Sequence, residues 1–140
     1  MTTRLTRSLL VLLVLLVGVQ TADAAGEIRW YKDLKQASAV AQKNNLPMFI
    51  DFWADWCTVC TIMDTEVYNV DTVIRAFEAK AVGVRLHYDL QPELVRKYNV
   101  PALPFLVWTN SYGTPIAYHR GLLEAEDLTA VLNSMPDLAD

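Results

Sequence analysis

Met48-Phe49-Ile50-Asp51-Phe52-Trp53 follows Pro47 as a nearly unbroken apolar run, and Trp56-Cys57-Thr58-Val59-Cys60 comes almost directly after it. Such a run reads as a strand covered on both faces. The cysteines then fall where a helix begins. That juxtaposition asks for a sheet buried between layers, with two sulfurs at a strand-to-helix corner. Cys57 and Cys60 are the only cysteines in the chain, so a framework of several disulfides is excluded. Two intervening residues let the sulfurs close a small ring, and a helix start favours one thiolate. This is the layout of a dithiol/disulfide redox site.

The 140 residues suffice for one domain. Residues 1–24 are expected to be a cleaved signal peptide rather than part of it. Arg4 and Arg7 form a basic start, Leu9 to Val19 is an apolar run of 11 residues, and Ala22-Asp23-Ala24 fits the small-x-small cleavage rule. The run is short for a spanning helix, so a retained anchor is the lesser alternative. Residues 25–140 then form a single domain, with 136–140 a frayed tail. Export makes disulfide chemistry persistent. Losing Arg4, Arg7 and Asp23 moves the net charge from −4 to −5, which argues against nucleic acid as a partner.

Along the domain, Ile28 to Tyr31 is a short strand candidate. Asp33 and Gln36 form a capping-box pattern that opens a helix with Leu34, Ala37 and Ala41 on one face, and Asn44-Asn45 stops it. The helix begun near Cys57 carries Ile62, Met63 and Val67. It is interrupted at Asn69-Val70-Asp71, where Asp71 is expected to cap a continuation. Val82 to Tyr88 alternates as a strand, and Pro92 suits the first turn of a short helix. Phe105 to Trp108 and Pro115 to His119 form a hairpin around Asn110 to Gly113, with Pro115 on the edge side. A last helix holds Leu128, Val131 and Leu132. The order β-α-β-α-β-α-β-β-α predicts an α/β fold: a central mixed β-sheet flanked by helices on both faces.

Phe52 to Cys60 resembles the active-site segment of the thioredoxin superfamily. Val100-Pro101-Ala102-Leu103-Pro104-Phe105 is similar to its cis-proline loop, and Gly121 matches the glycine after the hairpin. Ala54-Asp55-Trp56-Cys57 followed by Asp64 is most similar to the periplasmic C-terminal domain of the thiol reductase DsbD and its stand-alone relatives. The Thr58-Val59 pair departs from the Gly-Pro of cytoplasmic thioredoxins, so their potential does not transfer.

The resemblance implies the thioredoxin fold and a set of roles. Cys57 attacks a substrate disulfide, and Cys60, one turn on, resolves the mixed disulfide. Asp51 lies in a strand expected to be covered, so burial raises its pKa and suits it to proton exchange with Cys60. The alternative is a carboxylate paired with a lysine or capping a turn. Asp64, four residues after Cys60, either relays protons or is a solvated first-turn acid. Pro104 in cis would expose the Leu103 backbone to a substrate strand. Trp56 would shield the disulfide and offer an apolar contact. Trp53 is expected to support the sheet, Asp55 to be exposed, and Arg85, His87 and His119 to be surface or sheet-edge groups.

Two thiolates make only half a structural zinc site, so no metal is expected. The disulfide itself is the redox group, with no cofactor. Three acids around the motif disfavour a thiolate and point to a reductant. A membrane thiol-electron transporter is then the expected electron donor, protein disulfides are the substrates, and the protein is a periplasmic monomer. An oxidase or isomerase is the enzymatic alternative. A Cu(I)-handling thiol pair is the non-enzymatic one.

Overall fold

The computed structural model describes residues 26–135. The signal peptide expected at 1–24 and the tail at 136–140 lie outside them. Five strands make one sheet in the order β1-β3-β2-β4-β5: β1 Trp30–Tyr31, β2 Met48–Trp53, β3 Val82–His87, β4 Phe105–Thr109 and β5 Pro115–Arg120. β1 and β2 run parallel to β3, whereas β4 is antiparallel to both β2 and β5. The sheet is therefore mixed, as expected. The first strand is shorter than the Ile28–Tyr31 expectation: only Trp30 and Tyr31 pair, opposite Gly83 and Val84.

Helices cover both faces. Met48, Ile50 and Phe52 alternate with Phe49 along β2, sending side chains to opposite layers. The first group packs with Val84, Leu86 and Val107 against Ala37 and Ala41 of α1 (Leu34–Asn44) and the segment around Tyr98, which ends α4 (Pro92–Lys97). Phe49, Leu106 and Trp108 pack instead beneath Met63 and Val67, α3 (Asp71–Lys80) and α5 (Ala125–Ser134). Asp51, two residues after Phe49, shares that second face.

Local signals explain the helix limits. Asp33 accepts the Gln36 N–H at 2.7 Å and caps α1, and Asn45 ends it in the left-handed region at φ 53°. Helix α2 (Thr58–Ile62) continues as a π-helical turn over Met63–Val67. Asp71 does not cap α3. Val70 holds the cap position without a side-chain bond, and Asp71 is the first helical residue, where its charge meets the helix dipole instead.

Where β1 ends, a side chain takes over its role. Gln91 accepts the His87 main-chain N–H through Oε1 at 2.8 Å and donates from Nε2 to the Lys32 carbonyl at 3.2 Å. On the opposite edge, β5 is exposed along nearly its whole length. Asn110 Oδ1 shapes its hairpin by accepting from the Tyr112 and Thr114 N–H groups, and Gly113 turns at φ +82°.

Candidate active site at the start of helix α2

Strand β2 ends at Trp53, and a turn closed by Cys57 N–H donating to the Ala54 carbonyl at 3.1 Å delivers Cys57 to the cap of α2. Cys57 and Cys60 are joined by a disulfide, with Cα atoms 5.3 Å apart. The Cys60 N–H donates to the Cys57 sulfur at 3.2 Å, so Cys57 is the sulfur with a donor aimed at it. It is also the more exposed of the pair, at 6% against 2%. The sulfurs sit in an apolar cluster with Ala54, against Trp53, Tyr88 and Leu103.

Trp56 flanks this cluster, 63% exposed. Its indole N–H donates to Asp89 Oδ2 at 2.9 Å, and its ring meets Tyr88 edge-on at 6.1 Å. The Leu103–Pro104 peptide is cis, and the Pro104 carbonyl accepts from Gly121 N–H at 2.9 Å. Gly121 itself turns at φ +86°, a conformation side chains resist.

Two residues before the end of the strand that leads to this corner lies Asp51, only 1% exposed. Burial disfavours its charge and pushes its pKa up to about 6, although the Arg85 guanidinium opposes the shift. Arg85 is not a surface group, contrary to expectation. Strand β3 lies between β1 and β2, so its side chain enters the layer under the π-helical turn. Nε reaches Asp51 Oδ2 at 3.1 Å, and Nη1 reaches Asp64 Oδ1 at 2.8 Å. Its guanidinium lies 4.6 Å from the Trp53 ring centroid and 5.5 Å from that of Trp30. Trp53 thus supports the site through Arg85. The Tyr68 hydroxyl faces Asp51 from the end of the π turn and favours its charged form, although among the described residues neither that hydroxyl nor Asp51 Oδ1 closes to full hydrogen-bond geometry. Burial beside Asp51 raises the Tyr68 phenol well above its ordinary range.

Asp64 therefore meets Arg85 at a half-open position, its side chain 40% exposed. The four-residue spacing from Cys60 assumed an unbroken α-helix. The π turn from Met63 changes the phase of that face. Asp55 is exposed as expected, but it bonds His87 Nε2 at 3.0 Å. His87 is thus part of the rim, not a bland sheet-edge group, whereas His119 on β5 meets the Leu122 carbonyl. The signal that could have found Arg85 is its register: it lies directly opposite Asp51 in the β2–β3 pairing. Among the described residues, no group of three or more His, Cys, Asp or Glu side chains is placed to hold a metal ion.

Known proteins are similar to this chain in these segments. A thioredoxin 1 from Chlorobaculum tepidum is 33% identical over 64 residues, 46% of this chain and 60% of the relative. The thiol:disulfide interchange protein TxlA of Synechococcus elongatus is 30% identical over 90% of this chain and 66% of its own length. DsbD 2 of Pseudomonas aeruginosa, another thiol:disulfide interchange protein, is 32% identical over 58% of this chain but only 14% of that protein. The chain thus spans less than two thirds of the length of these curated relatives. Among solved structures, a thioredoxin from Thermus thermophilus superposes with a TM-score of 0.68 at 26% identity, covering 77% of this chain and 86% of the other. The oxidised C-terminal domain of DsbD from Neisseria meningitidis shares the fold, with a TM-score of 0.63 at 20% identity over 75% of this chain and 97% of the domain. The family model for thioredoxin-like proteins matches residues 29–110, more than half the chain, and includes the strand-to-helix corner with both sulfurs and their buried aspartate. This chain belongs to the thioredoxin-like family.

Proposed function

We propose that this protein is an exported thiol-disulfide oxidoreductase that reduces disulfides in other proteins. The observation that carries the reading is the setting of the sulfurs. A Cys57–Cys60 disulfide caps α2 in an apolar cluster, above a buried carboxyl whose pKa is pushed up to about 6.

In the reduced protein, the Cys57 thiolate attacks a substrate disulfide. One substrate sulfur leaves as a thiolate, and the other stays bonded to Cys57. The Cys60 thiolate then attacks Cys57, the mixed disulfide breaks, and the second substrate sulfur leaves. Two electrons pass to the substrate, and Cys57–Cys60 is reoxidised. Asp51 takes the Cys60 proton in the second step, since a carboxyl titrating near neutrality both accepts and returns one. Trp56 and the Leu103–Pro104 edge receive the substrate strand. No bound cofactor is required, because the disulfide carries the electrons.

Direction rests on the apolar setting. Arg85 answers the charges of Asp51 and Asp64, and Asp55 is turned to a hydrogen bond with His87, so acidic repulsion is not the main influence on the sulfurs. An apolar surrounding still disfavours a thiolate and so favours the disulfide over the dithiol. Such a dithiol gives up electrons readily. Export follows from the basic and apolar segment at residues 1–24, and the periplasm is the compartment that matches it. A membrane-held form facing the same side is the alternative. A membrane thiol-electron transporter recharges a monomeric protein there, in line with the interchange proteins named above.

The test is the equilibrium potential of Cys57–Cys60, titrated against glutathione and dithiothreitol with tryptophan fluorescence. A value near the thioredoxin level of about −270 mV supports the reductase. A value near the DsbA level of about −120 mV overturns it and makes the protein an oxidase.

A further inference from the structure

Asp55 and Trp56 are consecutive, and both are tied to the turn that follows β3. The Trp56 indole N–H donates to Asp89 Oδ2 at 2.9 Å. Asp55 Oδ2 lies 3.0 Å from His87 Nε2. The two ties meet at one ring, because Asp89 N–H donates to His87 Nδ1 at 3.3 Å. These partners fix the tautomer. A carboxylate only accepts, so Nε2 carries the hydrogen, and a main-chain N–H only donates, so Nδ1 is the bare acceptor. The ring is braced edge-on by Trp53 at 5.0 Å, and the His87 main chain is held by Gln91.

We propose that His87 is a positioning residue for Trp56: its Nε2–H tautomer pins Asp55 and Asp89 together and so holds the exposed indole beside the Cys57–Cys60 disulfide. The use of that indole to receive a protein disulfide rests on the function proposed above. The clamp itself does not. Trp56 is mostly exposed, with the Tyr88 ring edge beside it, so the Asp89 bond decides which way the indole faces. A side chain with no acceptor at the Nδ1 position leaves the Asp89 main-chain N–H without this partner. The charged groups around the ring are Asp55 before α2, Asp89 in the same turn, Arg85 two residues back on β3, and Lys32 across the cleft beside β1. Neutral Gln91 faces it from the start of α4.

The experiment is NMR on the oxidised full chain, following the Trp56 indole N–H, assigned with Trp56→Phe. In His87→Phe, the indole hydrogen exchange at fixed pH should accelerate by about fivefold or more, the loss of one ordinary hydrogen bond. His87→Asn, which keeps an acceptor at the Nδ1 position, should restore slow exchange. With a protein disulfide as substrate, His87→Phe should raise KM about fivefold and leave kcat and the alkylation rate of Cys57 within about twofold. Indole hydrogen exchange indifferent to both His87 variants overturns the clamp. Faster exchange with an unchanged KM overturns the positioning role. If no protein disulfide is reduced by any form, the functional reading fails, and the indole measurements alone still decide the clamp.

Discussion

Asp51 and Arg85 stand directly opposite each other on the parallel strands β2 and β3, and the guanidinium Nε closes on the carboxylate at 3.1 Å. The contact does not keep Asp51 in the ordinary carboxylate range. Desolvation outweighs it, so the acid that the fold buries is also the one it makes easiest to protonate.

This gives the stability a defined pH dependence. The folded-state pKa of Asp51 is raised from 3.8 to about 6. Its contribution is full below the unfolded value and is lost as pH rises through about 6, because the folded state holds the proton longer. The chain should lose about 2 kcal/mol of unfolding free energy from this group between pH 4 and pH 7.5. Asp51→Asn should flatten that slope. Urea denaturation across this range measures both.

Removing Arg85 should act in the same direction. Arg85→Met leaves Asp51 without its nearest positive charge and moves its titration further up. At pH 8 the cost should be about 3 kcal/mol, and it should shrink as acid neutralises the carboxyl. Equal destabilisation at pH 5 and pH 8 would show that Arg85 contributes by packing against its aromatic neighbours alone.

Gly83 carries a tighter constraint than its strand position suggests. A Cβ there would meet the Trp30 ring at 3.0 and 3.1 Å and Ile28 at 3.4 Å. Gly83→Ala should cost about 1–2 kcal/mol by overpacking β1, seen as a lower Tm with the Cys57–Cys60 potential unchanged.

The unequal exposure of the sulfurs makes the two cysteine variants behave differently. Cys60→Ser should trap a mixed disulfide through Cys57 on incubation with an oxidised protein. Cys57→Ser should trap at least about tenfold less, since Cys60 is the deeper sulfur. Non-reducing electrophoresis with mass spectrometry reads the adducts.

Much of this architecture is legible in the residues. The apolar run after Pro47, the Asp33–Gln36 cap and the Asn110–Gly113 turn are local patterns, and each forms where its pattern lies. What is hidden is non-local or phase-dependent. Arg85 looks like any polar position of an alternating strand until the crossover puts β3 between β1 and β2. His87 is likewise bland until Asp55 and Asp89 converge on its ring. The switch from α to π hydrogen bonding after Ile62 has no residue signature, so the face on which Asp64 falls could not be taken from spacing. The Asp71 cap fails because Val70 already has the extended backbone a cap requires.

The Gln91 amide has the same donor and acceptor groups as a peptide bond, and it occupies the gap where β1 stops. It works as a splice: one side chain completes the ladder between the Lys32 carbonyl and the His87 N–H. The outer rib of the sheet thereby gains a link to the active-site rim in addition to its pairing with β3. Gln91→Ala removes the partner of one donor and one acceptor at once without touching either strand.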